Sequence, residues 1–156
     1  MNNQTSYWSN GVLREVVNGV LRREIPKQNG IARWWHPNGA LEKEMPMVNG
    51  VADGIVHVWH DNGKLAREKI YRRGEVDGMV RQWNREGELL GEYEMKMGWG
   101  IEREWNEDGS QKSELEKVAE GAYRGKIWDD KGKIHETFLW NGKPVSKKKL
   151  LEKLDK

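Results

Sequence analysis

One pattern recurs along most of the chain and constrains its fold more than any other feature. Five segments carry a Trp followed four residues later by a Gly, as in WHDNGKL (59–65) and WNREGEL (83–89). The tryptophans stand 24, 24, 22 and 23 residues apart, at Trp35, Trp59, Trp83, Trp105 and Trp128. The accompanying glycines keep the same spacing, at Gly39, Gly63, Gly87, Gly109 and Gly132. A fixed period of this length is typical of proteins that stack one supersecondary unit, so both sets are predicted to be structural.

Each unit has the signature of a β-hairpin. Segments such as IVHVW (55–59) are rich in β-branched and aromatic residues, which favour strands. In the first clear unit Pro37 precedes Asn38-Gly39, and a two-residue turn would need the N–H that Pro37 lacks. We therefore expect a three-residue loop, with Pro37 at the first central position of a type I turn and Gly39 left-handed in a bulge.

A three-residue loop predicts which residues face one another across each hairpin. It sets the turn tryptophans opposite aliphatic residues, in the pairs Trp35–Leu41, Trp59–Leu65, Trp83–Leu89 and Trp128–Ile134. Four residues earlier, on the same face, lie Ile31, Ile55, Met79 and Ile101. Unbroken pairing would place these four opposite Met45, Lys69, Tyr93 and Leu115, respectively. Because a lone hairpin is marginal in water, we expect the Trp, Leu and Ile face to stack into a continuous core.

The chain is therefore predicted to be all-β, an elongated single sheet of stacked hairpins forming one domain (1–156). Its expected parts are a degenerate first unit at 1–29, hairpins at 30–53, 54–77, 78–99, 100–121 and 122–145, and a short C-terminal helix at 146–156. Ser146 is a candidate N-cap for that helix, and Leu150, Leu151 and Leu154 share one helical face. We expect the helix to cap the open end of the sheet.

Composition excludes several classes of protein. The chain has no Cys, so disulfides and thiolate metal sites are ruled out. No apolar run approaches the ~20 residues of a membrane span, and the first ten residues lack the features of a secretory signal. The net charge of +2 includes a basic tail, and without residues 143–156 the body is slightly acidic. We expect a cytoplasmic protein that does not bind nucleic acid.

The unit G-x-x-x-x-W-x-x-x-G-x-L, closed by G-x-x-D-G, resembles the MORN repeat (membrane occupation and recognition nexus). GIVHVWHDNGKLAREKIYRRGEVDG (54–78) is the best copy, and its turn and junction look most like the bacterial variant in YwqK-like antitoxin and immunity proteins. The resemblance covers about residues 19–142. It implies a curved scaffold that binds proteins, an antitoxin that contacts its toxin directly, and no shared catalytic residues. Some family members associate with membranes, which here only the basic tail could support.

Three sets of side chains are candidates for contact with a partner. Among the tryptophans outside the repeat column, Trp34, Trp99 and Trp140 are the candidates. We expect Trp34 to point away from the face of Trp35, beside Glu42 or Glu44. A column of cations two residues before the turn tryptophans includes Arg33, His57, Arg81 and Arg103, which serve either as a basic binding ladder or as cation–π partners of the core. An acidic face opposite the tryptophans, suited to a basic toxin, is predicted from Glu92, Glu94, Glu102 and Glu104.

No residue pattern indicates catalysis. The four His show no metal-binding spacing, and the sequence contains no phosphate-binding loop or nucleophile elbow. We therefore expect no enzyme activity, no metal and no cofactor, and we expect an antitoxin-like scaffold that occludes a protein, as a monomer or an end-to-end or side-by-side homodimer. The alternatives are a structural adaptor with weak membrane contact through the tail and, more remotely, a carbohydrate-binding or hydrolytic protein that uses the Trp face.

Overall fold

The computed structural model describes residues 4–155 and consists of antiparallel strands followed by one helix. Residues 1–3 and 156, which belong to the predicted first unit and to the predicted helix, lie outside the described residues. The elements in chain order are β1 (Gln4–Ser9), β2 (Val12–Val17), β3 (Val20–Pro26), β4 (Gly30–Trp35), β5 (Leu41–Val48), β6 (Val51–Ala52), β7 (Gly54–Trp59), β8 (Leu65–Arg72), β9 (Glu75–Trp83), β10 (Leu89–Met95), β11 (Ile101–Trp105), β12 (Gln111–Ala119), β13 (Ala122–Trp128), β14 (Ile134–Trp140), β15 (Lys143–Pro144) and α1 (Lys147–Leu154). The predicted all-β fold of hairpins with a C-terminal helix is confirmed.

The turns after the tryptophans are the predicted three-residue loops. The His36 N–H donates to the Ala40 carbonyl at 2.8 Å, and the Gly39 N–H donates to the His36 carbonyl at 2.9 Å. Gly39 has a φ of +84°, a left-handed conformation that glycine adopts without a steric penalty. The structure also confirms the predicted cross-strand pairs Trp35–Leu41, Trp59–Leu65, Trp83–Leu89 and Trp128–Ile134.

Beyond the first pair, the predicted register is wrong by one residue. A β-bulge skips Glu42, so that Trp34 faces Lys43 and Ile31 faces Pro46 rather than Met45. Corresponding shifts give the pairs Ile55–Ile70, Met79–Glu94 and Ile101–Glu116 in place of partners Lys69, Tyr93 and Leu115. The extra residue of a bulge transfers every later residue of the returning strand to the other face of the sheet.

In strands β1 to β10 the best-buried residues lie on the face opposite the one predicted to form the core. Ala32, Val56 and Val80, each one residue after the Ile or Met column, are 0%, 4% and 1% exposed. Ile31 and Ile55, by contrast, are 44% and 45% exposed. The expectation of a continuous Trp, Leu and Ile core is therefore corrected, because burial follows the small β-branched and Ala positions that alternate with that column.

The strands form two sheets rather than the single sheet expected. Strands β1 to β10 make a ten-stranded sheet, which we call the N-terminal sheet, and β11 to β15 make a five-stranded one, the C-terminal sheet. Near their junction the described residues form one isolated bridge, between Lys96 and Trp99. The side chain of Trp105 packs against the buried cluster of Val80, Tyr93 and Met95 and occupies the space that a Cβ at Gly91 would need. The indole of the second sheet thus lies against the last strand of the first.

Helix α1 begins at the predicted N-cap, where the Ser146 hydroxyl accepts a hydrogen bond from the Lys149 N–H at 3.2 Å. Leu150 is only 3% exposed, and Lys153 Nζ lies 4.8 Å from the centre of the Trp140 ring. The helix packs against β14, the last long strand of the C-terminal sheet, and borders a groove on one face of that sheet. No helix within residues 4–155 has the length and apolar character to cross a membrane.

Candidate protein-interaction surface

The register places basic and acidic side chains in one alternating row across the N-terminal sheet. Each member faces the next on the neighbouring strand, in the order Arg14, Glu24, Arg33, Glu44, His57, Glu68, Arg81 and Glu92. We call this row the charge ladder, and the sheet face that carries it the ladder face. Glu92 was expected on the face opposite the cations, but the bulge after the turn moves it beside Arg81.

The charge ladder is held by short contacts. Arg33 Nε donates to Glu44 Oε1 at 2.7 Å, and Arg81 bridges two glutamates, Glu68 at 3.0 Å and Glu92 at 2.9 Å. The hydrogen bonds to Glu92 and then Glu68 raise the pKa of Arg81 above its ordinary value. Partly exposed pairs of this kind contribute little stability individually. Their main consequence is a row of charged groups held in fixed positions.

Two apolar rows flank the charge ladder on the same face. The aliphatic row consists of Ile31, Pro46, Ile55, Ile70 and Met79. The aromatic row consists of Trp35, Leu41, Trp59, Leu65, Trp83 and Leu89. Several members reach solvent, with Ile31, Ile55 and Leu89 at 44%, 45% and 53% exposure. Apolar area combined with fixed polar groups is the composition of a protein-binding surface.

Equivalent rows recur in the C-terminal sheet, where helix α1 packs beside them against β14. One row runs through Arg103, Glu114, Lys126 and Glu136, and the next through Ile101, Glu116, Arg124 and Phe138. Arg103 Nε contacts Glu114 at 3.2 Å, as Arg33 contacts Glu44 in the first sheet. The helix and the sheet border a groove of about 380 Å³.

Each of the three candidate tryptophans has a lysine partner within the chain. The ammonium nitrogens of Lys43, Lys117 and Lys153 lie 4.5, 4.8 and 4.8 Å from the ring centres of Trp34, Trp99 and Trp140, respectively. Trp34 thus lies beside Lys43 rather than beside Glu42 or Glu44 as predicted. Desolvation lowers the pKa of Lys43, although Glu42 opposes that shift. The described cation–π contacts therefore involve these lysines, whereas the cation column pairs with glutamates.

The four glutamates of the predicted acidic face do not share one face. Glu92 contacts Arg81, and Glu94 faces Met79 on the ladder face. Glu102 and Glu104 face Leu115 and Ser113 on the other side of the C-terminal sheet. Glu104 also contacts Arg67 at 3.4 Å and Lys112 at 3.5 Å. The prediction of one acidic surface is therefore wrong, because Glu92 and Glu94 lie on the ladder face whereas Glu102 and Glu104 lie on the other side of the C-terminal sheet.

The face opposite the charge ladder contains titratable groups that sequence reasoning did not single out. Burial, and then the charge of Glu102, raise the pKa of Tyr93 to about 12. The same two causes raise the pKa of Tyr71, whereas burial and Arg67 lower that of Lys69. The interruption of the repeat at Gly91 was the available signal for this region, since the same position holds Lys43 and Arg67 in the preceding copies.

Neighbouring turns are joined by side-chain hydrogen bonds, which explains two of the four histidines. His36 Nε2 lies 2.9 Å from the Trp59 carbonyl oxygen, and His60 Nε2 lies 3.1 Å from that of Trp83. The Asn38 amide likewise donates to the Asp61 carbonyl at 2.8 Å. Among the described residues, no three His, Asp or Glu side chains converge in an arrangement that could hold a metal ion.

Comparison with known proteins agrees with the repeat architecture. Residues 28–49 match the family described as the MORN repeat variant. This segment contains β4, the turn at Gly39 and all of β5, and the match supports a MORN-repeat protein. No curated protein matches the chain.

Proposed function

We propose that this chain is a non-catalytic repeat scaffold that binds a protein through the ladder face of its N-terminal sheet. The observation that carries the proposal is the continuous arrangement of one charged row between two partly exposed apolar rows. The charge ladder crosses eight strands from Arg14 to Glu92, and strand spacing makes that about 34 Å. A surface of this width suits a protein better than a small molecule, which usually occupies a closed cleft.

We further propose that the partner is a toxin that this chain neutralises by direct contact. The resemblance of residues 54–78 to the bacterial antitoxin variant of the repeat motivates this finer assignment. Charge supports a basic partner. With Glu94, the ladder face carries five glutamates, and its arginines are Arg14, Arg33 and Arg81. Such a surface would accelerate encounter with a basic toxin at low ionic strength.

The test begins with the tagged full chain, purified from its native host. We expect one protein to co-purify in stoichiometric amount, to arrest growth when expressed alone, and to become harmless when this chain is co-expressed. Glu92→Lys with Glu94→Lys should weaken co-purification at low salt, because the double change makes the ladder face net basic. The matched control is Glu86→Lys, which adds positive charge on an exposed turn.

The outcomes separate the two levels of the proposal. If the stoichiometric partner is not harmful when expressed alone, the proposal of a binding scaffold stands and the proposal of an antitoxin role is rejected. A partner retained equally by the double variant and by the Glu86→Lys control would remove the ladder face as its binding surface. If no protein co-purifies from cells that express the chain, the scaffold proposal itself fails.

A further inference from the structure

The geometry points to a specific shape for the partner: we propose that the ladder face binds an amphipathic α-helix with leucines on one side and lysines at its N-terminal end. This inference rests on the proposed function and deepens it. Its basis lies within the chain, because the structure contains two copies of the same surface. One copy is open, and a helix of this kind packs against part of the other.

The partly occupied copy is the equivalent face of the C-terminal sheet. Ile101 and Arg103 stand at the repeat positions of Ile31 and Arg33, and their rows continue to Phe138 and Glu136. Helix α1 buries Leu150, which is 3% exposed, on this face, and its more exposed Leu151 and Leu154 line the groove beside the rows. The repeat therefore already presents, in one molecule, a sheet face and the type of helix that packs on it.

Charge explains why such a helix carries lysines at its N-terminal end. Lys147, Lys148 and Lys149 occupy the first turn of α1, which has no acidic residue there. The helix dipole makes cations unfavourable at that end, so a compensating interaction is needed. Lys147 lines the groove together with Glu114, Glu116 and Glu136. The ladder face offers an equivalent set of glutamates in Glu44, Glu68 and Glu92.

The open copy is the more apolar of the two. In the C-terminal sheet the row that begins at Ile101 is interrupted by Glu116 and Arg124. The aliphatic row of the N-terminal sheet has no charged residue from Ile31 to Met79, where the corresponding pair is Ile55–Ile70. Leucine side chains would therefore bury more apolar area on the ladder face than α1 buries on its own sheet.

The occupant is a helix of another protein rather than α1 of a second copy. In its own chain α1 is held by the burial of Leu150 and by the contact between Lys153 and Trp140. Transfer to a neighbouring molecule would break the contacts of α1 with β14 and with Trp140 in its own chain. A helix supplied by the partner incurs neither loss.

The experiment uses the full chain with labelled isoleucine δ-methyl groups, observed by NMR. The probe is a synthetic peptide of residues 146–155, made helical by a lactam bridge between the side chains of Lys148 and Glu152. We expect saturable shifts at Ile31, Ile55 and Ile70, with Ile127, which lies outside the ladder face, unchanged. A peptide with Leu151→Asp and Leu154→Asp should produce no saturable shift.

The matched variants use exposed isoleucines, so that folding is little affected. Ile31→Glu with Ile55→Glu should weaken probe binding by about tenfold or more, as loss of central apolar contacts does. Ile31→Thr with Ile55→Thr keeps β-propensity and serves if the glutamate variant folds poorly. Ile127→Glu is the control, because Ile127 is similarly exposed at 41%.

Each result then has a defined meaning. The inference is overturned if the probe gives no saturable shift at Ile31 and Ile55, if it shifts Ile101 by displacing α1, or if the Ile31 and Ile55 variants bind it as tightly as the Ile127→Glu control. The inference is also overturned if a natural partner binds the isoleucine variants as tightly as the unaltered chain but binds the variant with Glu92→Lys and Glu94→Lys more weakly. That result would leave the scaffold proposal intact.

Discussion

The two sheets are built from one repeat, yet the same face is open in the N-terminal sheet and carries helix α1 in the C-terminal sheet. The N-terminal sheet leaves its ladder face open and has its best-buried residues on the other face, at Ala32, Val56 and Val80. The C-terminal sheet carries α1 on part of the equivalent face, where Leu150 is buried. The change occurs where Trp105 lies against Gly91 instead of β11 extending the ladder of β10. A regular repeat therefore specifies the hairpin, while single departures from it specify how hairpins join.

The largest effect should come from removing the indole at the junction. Trp105→Ala is expected to cost about 3 kcal/mol or more of the free energy of unfolding, because it empties the space against Val80, Tyr93 and Met95. Trp59→Ala, at the same repeat position on the open face, should cost about 1–2 kcal/mol. Urea denaturation measures both, and equal losses would contradict a special role for the junction.

A double-mutant cycle tests the steric part of the same contact. Gly91→Ala alone should destabilise by about 1–3 kcal/mol, because the added Cβ overlaps the Trp105 indole. In the Trp105→Ala background the same change should stabilise slightly, since Ala in a strand is favoured over Gly by about 0.5–1 kcal/mol. The reversal of sign is the diagnostic result, and additive effects would show that the two residues do not interact.

The packing of α1 against the C-terminal sheet should depend on one leucine. Leu150→Ala is expected to cost about 3 kcal/mol, because this side chain is only 3% exposed. Leu151→Ala, next to it on the helix but 52% exposed, should change the unfolding free energy by about 0.5 kcal/mol or less. Thermal unfolding followed by circular dichroism separates the two, and similar losses would mean that α1 does not pack as described.

Alkaline pH should reveal contact between the two sheets at Tyr93. Its folded pKa of about 12 exceeds the ordinary tyrosine pKa of 10.0, so between these values the unfolded chain loses a proton that the folded chain keeps. Stability is therefore complete below pH 10 and falls as pH rises towards 12, by about 2–3 kcal/mol. Tyrosinate absorbance gives the midpoint, and Tyr93→Phe should remove this share of the slope. Unchanged slopes would place the tyrosine in water.

The smallest effect is expected within the charge ladder. Glu68→Gln weakens contacts to Arg81 at 3.0 Å and His57 at 3.3 Å and should cost less than about 1 kcal/mol, with a further decrease in added salt. Glu114→Gln, its counterpart in the C-terminal sheet, should cost a similar amount. A loss of several kcal/mol at either site would show that the row contributes to folding rather than mainly to the character of the surface.

Local chemistry was sufficient for some predictions and insufficient for others. Pro37 and Gly39 allowed the loop length to be predicted, because the missing N–H and the positive φ act within a few residues. The pairing of Ile31 was wrong because the bulge at Glu42 leaves no clear mark in composition and inverts every later residue. The neighbour of Trp34 was wrong for the same reason, and so was the division of the glutamates between the faces.

Hairpins, turns, the Trp–Leu pairs and the C-terminal helix were determined by the sequence itself, since each depends on residues close together in the chain or on a strict period. The buried face, the separation into two sheets and the position of α1 were decided only by tertiary structure. These features depend on which surfaces exclude water once distant strands meet, as Trp105 and Gly91 do. The charge ladder belongs to both levels, because the repeat supplies its residues and the bulge brings them onto one face.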